Sequence, residues 1–309
     1  MGKFLANRLV SSLVTLWLII TLTFILMHAI PGGPFTAEKQ LPPEIIKNIN
    51  ARYHLDDPLI KQYWDYLKNV VCFDLGPSFK YPGRTVNDII GDGFPISATL
   101  GIVAILVAIG FGIPAGIVSA LHQNKWQDSL IMFLAIIGVS APSFVTATLL
   151  QYLFAYKLRW FPPALWGTPS QLVLPVIALA AFPMAFVARL TRSSMLEVLS
   201  QDYIRTARSK GLNQFRVVWR HVLKNALIPT IAVLGPLTAT LLTGTFVIEK
   251  IFAIPGLGRH FVTSIYNRDY TIILGVTLFY AAVVLLMSLI VDIIYAIIDP
   301  RIKLAGKGE

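Results

Sequence analysis

Six long apolar runs dominate this sequence and leave it few ways to fold. They cover residues 9–30, 96–121, 129–156, 172–190, 226–248 and 272–297. Each is long enough to cross a bilayer, which takes roughly 20 apolar residues as a helix. In hydrocarbon a backbone must satisfy its own hydrogen bonds, so runs of this length become helices. The pattern predicts an all-α, polytopic membrane protein with six transmembrane helices. Composition agrees: of 309 residues, 55% are hydrophobic and 14% charged, at mean hydropathy +0.67. Those values exclude disorder and an ordinary soluble domain. The net charge of +10 would suit nucleic acid only if the basic residues formed a soluble patch. They flank the spans instead, so no nucleic-acid partner is expected.

The positions of Lys and Arg orient the chain. With both termini cytoplasmic, Lys3, Arg8, Lys125, the basic stretch 203–229 and Arg301, Lys303 and Lys307 all lie inside, against Lys157, Arg159, Lys250, Arg259 and Arg268 in the opposite short loops. Cytoplasmic loops carry that excess. The N-terminus imitates a signal peptide, but its apolar run is span-length and no small-residue cleavage site follows, so it reads as a retained helix. The expected organisation is a first helix over 1–30, an extracytoplasmic insertion over 31–94, a core membrane domain over 95–300, and a cytoplasmic tail over 301–309. Within the insertion, Pro42 and Pro43 open one helix. Asp57–Pro58 reads as N-cap and N1 of a second, and Thr85 with Asp88 resembles a capping box before a short third.

Several chemistries are missing. No GxxxxGK[ST] P-loop occurs, and no serine sits in GxSxG. The five histidines (His28, His54, His122, His221, His260) show no metal-ligand spacing, and the single cysteine, Cys72, excludes an intrachain disulfide. The glycines at Pro255–Gly258 read as a turn. No catalytic constellation stands out, and no metal or cofactor is expected in this chain. The acid well inside a span is Asp292, with Arg189 as a conceivable partner; a structural or snorkelling role for either is the simpler reading.

Helix-disturbing prolines recur at Pro114, Pro142, Pro175, Pro183, Pro229 and Pro236. Kinks there could open a polar pathway lined by Ser140, Ser143, Thr146, Thr238, Thr240, Thr243 and Thr245, although such hydroxyls as often bond back to their own helix. Gly112 and Gly116 form a GxxxG, a weak sign of close helix packing.

The stretch 203–229 is the least loop-like of the connections. Arg216, Arg220 and Lys224 recur every fourth residue, while Phe215, Val218, Trp219 and Val222 share another face. Gly211 sits where a C′ glycine ends one helix and Asn213 where an N-cap starts the next. A lipid-held amphipathic helix explains the charge and the apolar face. It leaves the small residues Thr206, Ala207, Ser209 and Gly211 unexplained, and these suit close approach by a protein partner. A voltage-sensing array is excluded because the charges lie outside the spans.

RTARSKGL, residues 205–212, resembles the EAA loop of membrane subunits of ATP-binding-cassette importers, in the form used by peptide permeases. The EAA-x3-G core corresponds to Arg205, Thr206, Ala207 and Gly211. Arg205 replaces the glutamate, and the usual Leu-Pro is missing, proline appearing only at Pro229; these departures are similar to the peptide and nickel branch. The N-terminal stretch through Pro31–Gly32–Gly33–Pro34, residues 53–68, residues 74–81 and the ending 291–302 carry the same resemblance, strongest to the oligopeptide permease B subunits and spanning the whole chain.

That resemblance implies a type I importer permease fold, with a coupling loop at about 191–228. It implies a non-catalytic subunit in the bacterial inner membrane. The implied partners are a second, paralogous permease, two cytoplasmic ATPases that hold ATP and magnesium, an external peptide-binding protein, and membrane lipids. Thr206, Ala207 and Gly211 match the loop core, and Arg205, Arg208 and Lys210 become polar contacts to the ATPase. The alternatives are a stand-alone channel or secondary transporter with a lipid-binding basic segment, or an importer of dipeptide, murein peptide or nickel.

Overall fold

The computed structural model describes residues 2–29, 55–243 and 246–298. Among these the chain is largely helical, with an isolated antiparallel β bridge between Pro77 and Thr85. The expected helix at Pro42–Pro43, Thr245 and the tail 301–309 fall outside the described residues. Among the described residues five helical stretches are long and apolar enough to cross a membrane, or six if a bent pair counts as one span.

Contacts divide the chain into two compact units, one formed by Met1–Ile96 and Gly256–Val283, the other by Ser97–Pro255 and Val284–Glu309. In the first unit α1 (Gly2–Ala29) leaves Leu13, Leu22 and Leu26 more than half exposed, as a helix facing lipid tails does. It buries Ile20 and Phe24. α2 (Leu59–Val71) meets it through Tyr63, whose hydroxyl lies 2.7 Å from that of Thr21 and whose ring is 5.3 Å from Phe24. Pro58 itself is the N-cap of α2, not its first helical residue. Asp57, expected to cap, instead pairs with Lys61 at 3.0 Å, and that hydrogen bond raises the Lys61 ammonium above its ordinary range.

The Thr85–Asp88 capping box forms: Thr85 N–H donates to Asp88 Oδ2 at 2.9 Å, and Asp88 N–H to Thr85 Oγ1 at 3.2 Å. It opens no short helix. It starts α3 (Val86–Leu121), which runs 36 residues through Phe94 and the second span without a break. The first unit's core gathers Val86, Ile89 and Ile90 of α3 with Leu257 of α12 (Leu257–Asn267) and with Ile272 and Val276 of α13 (Tyr270–Ile298).

In the second unit, α4 (Trp126–Ser140) and α5 (Ser143–Leu150, extended by a π-helical turn over Gln151–Lys157) make up the third predicted span, bent by 108°. The cause is local. Pro142 disfavours helical geometry in the residue before it, and Ala141 adopts ψ 122°. Pro142 thus breaks a helix as expected. Pro114 of α3, Pro175 and Pro183 of α6 (Pro169–Leu199), and Pro236 of α10 (Ile228–Thr243) are accommodated inside continuous helices.

α6 is the centre of this unit, burying Leu174, Val176, Leu179, Val187, Ala188 and Met195. The GxxxG is where α3 meets it. A Cβ at Gly112 would stand 2.8 Å from the Met184 carbonyl, and one at Gly116 2.6 Å from that of Ala188. Only hydrogen fits at such distances, so the two backbones approach closely.

Candidate coupling site

Between α6 and α10 the chain builds a compact helical hairpin from its own sequence signals. α6 ends at Leu199, and α7 (Asp202–Ser209) begins after Gln201 in extended geometry. Asp202 places its charge in the first turn of α7, where the helix dipole favours an anion. Lys210 follows as C-cap, and Gly211 takes φ +79°. A side chain resists that left-handed conformation, so glycine at C′ stops the helix. Asn213 then caps the next helix, its side-chain oxygen accepting from Phe215 N–H at 3.0 Å. α8 (Gln214–Val217), a π turn (Val218–Val222) and α9 (Leu223–Ala226) carry the chain back to α10.

One apolar cluster holds the hairpin. Ile204 and Ala207 of α7 pack with Val217, Val218, Val222, Leu223 and Ala226, and with Ala120 of α3 and Met195 of α6. Ile204 and Val222 are fully buried. Tyr203 and Asn225 join across the hairpin by a 2.9 Å hydrogen bond.

The six predicted coupling residues therefore separate into two kinds. Arg205, Thr206, Arg208, Lys210 and Gly211 are exposed. Ala207 is buried in the cluster, so its small size serves packing within this chain. Thr206 and Ser209 donate their hydroxyls to the Asp202 and Arg205 carbonyls, and Arg205 pairs loosely with Asp202 at 3.5 Å. A Cβ at Gly211 would meet nothing within 4 Å; within this chain its requirement is conformational.

Beside the hairpin, a buried ionic knot that the sequence pattern missed ties α3, α4 and α6 together. Asp128, at the start of α4, is 4% exposed. Arg192 of α6 grips it with two bonds, Nε to Oδ1 at 2.6 Å and Nη2 to Oδ2 at 2.7 Å. Ser119 of α3 donates its hydroxyl to Oδ1, and Asn124 its backbone N–H to Oδ2 at 3.0 Å. Three helices thus meet at one carboxylate. A second buried acid, Glu249 of α11 (Phe246–Ile251), accepts from the Ser97 hydroxyl at 2.6 Å. Asp128 and Glu249 each lie one residue outside an apolar run as read from sequence, so a search for acids inside spans passed over both. Arg189 is exposed, and the side chain of Asp292 lies outside the described residues.

The candidate pathway hydroxyls differ in exposure. Ser140, Ser143 and Thr240 are exposed, and Thr146, Thr238 and Thr243 half-buried. The threonines donate to their own helices, Thr238 to the Leu234 carbonyl at 2.6 Å, Thr243 to Ala239 at 2.8 Å, Thr240 to Pro236 at 2.9 Å and Thr146 to Pro142 at 3.4 Å.

Comparison with known proteins gives this arrangement its setting. A family model described as "Binding-protein-dependent transport system inner membrane component" matches residues 112–304. A companion described as "Binding-prot-dependent transport system membrane comp, N-term" matches residues 1–101. The chain is 51% identical over 308 residues to the dipeptide transport system permease protein DppB of Bacillus subtilis, covering 100% of both chains. It is 46% identical over 305 residues to the oligopeptide transport system permease protein OppB of Salmonella typhimurium, covering 98% of this chain and 100% of that one. Among solved structures, an inward-facing form of the MetNI methionine ABC transporter matches 68% of this chain and 96% of its own at TM-score 0.57 and 16% identity, a likeness of fold. The chain belongs to the family of binding-protein-dependent transport system inner membrane components, the multi-pass, non-catalytic permease subunits of ATP-binding-cassette importers.

Proposed function

We propose that this chain forms part of the translocation pathway for oligopeptides, and that α7 is the surface through which ATP hydrolysis elsewhere drives it. The reading places the hairpin in the cytoplasm, against one of two ATPase subunits that hold ATP and magnesium. A second, paralogous permease completes the pathway, and an external binding protein delivers the peptide. One observation carries the coupling role: α7 presents Arg205, Thr206, Arg208 and Lys210 outward while Ile204 and Ala207 lock it to α3 and α6. A helix held so firmly behaves as a lever. Force applied to its exposed face passes through Ala120 and Met195 into two membrane helices. The Asp128–Arg192–Ser119 knot fastens those helices to α4 close to the point of loading.

The pathway hydroxyls Ser140, Ser143, Thr146, Thr238, Thr240, Thr243 and Thr245 belong to the same proposal. Their oxygens keep lone pairs for peptide groups even where the hydroxyl proton is spent within the helix.

Gly211 supplies the test. In the left-handed region a β-branched side chain costs about 1–2 kcal/mol, whereas asparagine is tolerated there. Gly211→Val in the assembled complex is expected to insert normally yet lose most peptide-stimulated ATP hydrolysis, and Gly211→Asn to retain most of it. Full coupling in both variants, with normal uptake, would sink the docking role. Dipeptides are the second reading of the substrate, motivated by the name of the 51% identical relative; competition between two- and four-residue peptides for uptake by the complete system distinguishes them.

A further inference from the structure

Beyond Gly211 the hairpin changes character. The sequence pattern puts Phe215, Val218, Trp219 and Val222 on one apolar face, which ought to be buried together. The structure divides them. Val218 and Val222 are buried, while Phe215 and Trp219 are 69% and 61% exposed, their ring centroids 5.8 Å apart. The division coincides with the π turn over Val218–Val222, a widened turn of a kind found often at functional sites.

The two rings border an open groove of about 290 Å³ whose other walls include Ile117, Leu121, Val218 and Leu223. Leu121 is the last residue of α3, a helix long and apolar enough to cross the membrane. The groove therefore sits at the end of a helix of span length, and aromatic side chains concentrate where hydrocarbon gives way to headgroups. Arg216 of α8, Arg220 of the π turn and Lys224 of α9 are exposed. Their charge is not offset nearby in sequence, because no acidic residue occurs between Asp202 and Glu249.

We propose that this face, Phe215 and Trp219 with Arg216, Arg220 and Lys224, is a binding site for an anionic membrane phospholipid. The rings and the groove take acyl chain, and the three cations take the headgroup phosphate. Apolar area at the hydrocarbon boundary combined with a cluster of cations is what recruits anionic lipid. The basic segment then serves two partners, α7 the ATPase and α8–α9 the bilayer. The proposal rests on the chain's membrane placement and not on which protein α7 meets.

The assembled importer in nanodiscs tests it. The chain has six tryptophans; a variant keeping Trp219 alone reports lipid contact through quenching by brominated acyl chains. Quenching is expected, and it is stronger when the bromine is carried by phosphatidylglycerol than by phosphatidylcholine in the same mixed bilayer. Arg216→Gln, Arg220→Gln and Lys224→Gln should each lower phosphatidylglycerol enrichment about fivefold. No quenching, equal quenching by both lipids, or shielding of Trp219 from aqueous quencher only when the ATPases are bound would overturn the assignment. Native mass spectrometry gives a second reading without removing any tryptophan: equal numbers of bound phosphatidylglycerol on the wild type and the triple glutamine variant would also overturn it. ATPase co-purification, measured on the same preparations, separates failure of the lipid site from failure of the docking role.

Discussion

Asp128 and Asp269 are both buried, at 4% and 0% exposure, and each fastens segments distant in sequence, but their partners differ in kind. Asp128 meets one cation head-on: the two bonds from Arg192 neutralise it, and Ser119 and the Asn124 N–H fill the remaining acceptor sites. Asp269 is held by hydroxyl and backbone donors from four residues. It accepts from the hydroxyls of Ser78 at 2.6 Å and Thr271 at 2.8 Å, and from the backbone N–H groups of Lys80 at 3.2 Å and Ile272 at 3.3 Å. It stands just before α13, where the helix dipole adds to those donors. The same Thr271 oxygen lies 2.7 Å from the Pro77 carbonyl, so its one proton is shared between that carbonyl and Asp269 and holds the loop at 77–80 to the start of α13. Asp128 is answered by a single guanidinium, while hydrogen bonding to Asp269 is spread over neutral donors of four residues. The first arrangement is strong and brittle; the second degrades by steps.

That contrast can be broken by substitution, and the largest effect belongs to the brittle site. Arg192→Met leaves Asp128 buried without its countercharge, at a cost of about 3–5 kcal/mol. Thermal unfolding of the purified subunit in detergent reads it, and adding Asp128→Leu should restore most of the loss. Equal stability of Arg192→Met and the wild type would show that the knot bears no load. Asp269→Asn comes next, at about 1–3 kcal/mol, since the amide oxygen still accepts but the charge is gone. Hydrogen exchange should quicken in the first turn of α13 and in the loop at 77–80, with α6 unchanged. Smallest is Thr271→Val, which keeps the shape and removes one hydroxyl; about 0.5–1.5 kcal/mol is expected, visible as a small shift in the same exchange measurement. A Thr271→Val loss as large as that of Asp269→Asn would mean the load is not shared.

Much of the candidate coupling site was legible in sequence, because its signals are local. Gly211 and Asn213 announce a helix stop and a helix start within three residues, and both perform those roles. The Thr85–Asp88 box was equally legible, but the length of the helix it opens was not: the sequence reading has a short helix in an insertion ending at 94 and a separate span from 96, where one helix runs over Val86–Leu121. Ala207 shows the limit of a motif. Its small side chain suited docking as well as packing, and only the cluster around Ile204 decides for packing. Asp128 and Arg192 stand 64 residues apart, with nothing in either neighbourhood that names the other.

By itself the sequence determined the class of the molecule: helices that must cross a bilayer, and a capped hairpin between them, in a chain without a P-loop motif. Those properties follow from hydrocarbon's refusal of unpaired backbone and from residues that act within a turn of their own position. Only the tertiary structure decided which side chains of the hairpin face out, where the third span bends back at Pro142, and how one buried carboxylate binds three helices. Burial and charge pairing arise between segments far apart in the chain, and their energies exist only once those segments have met.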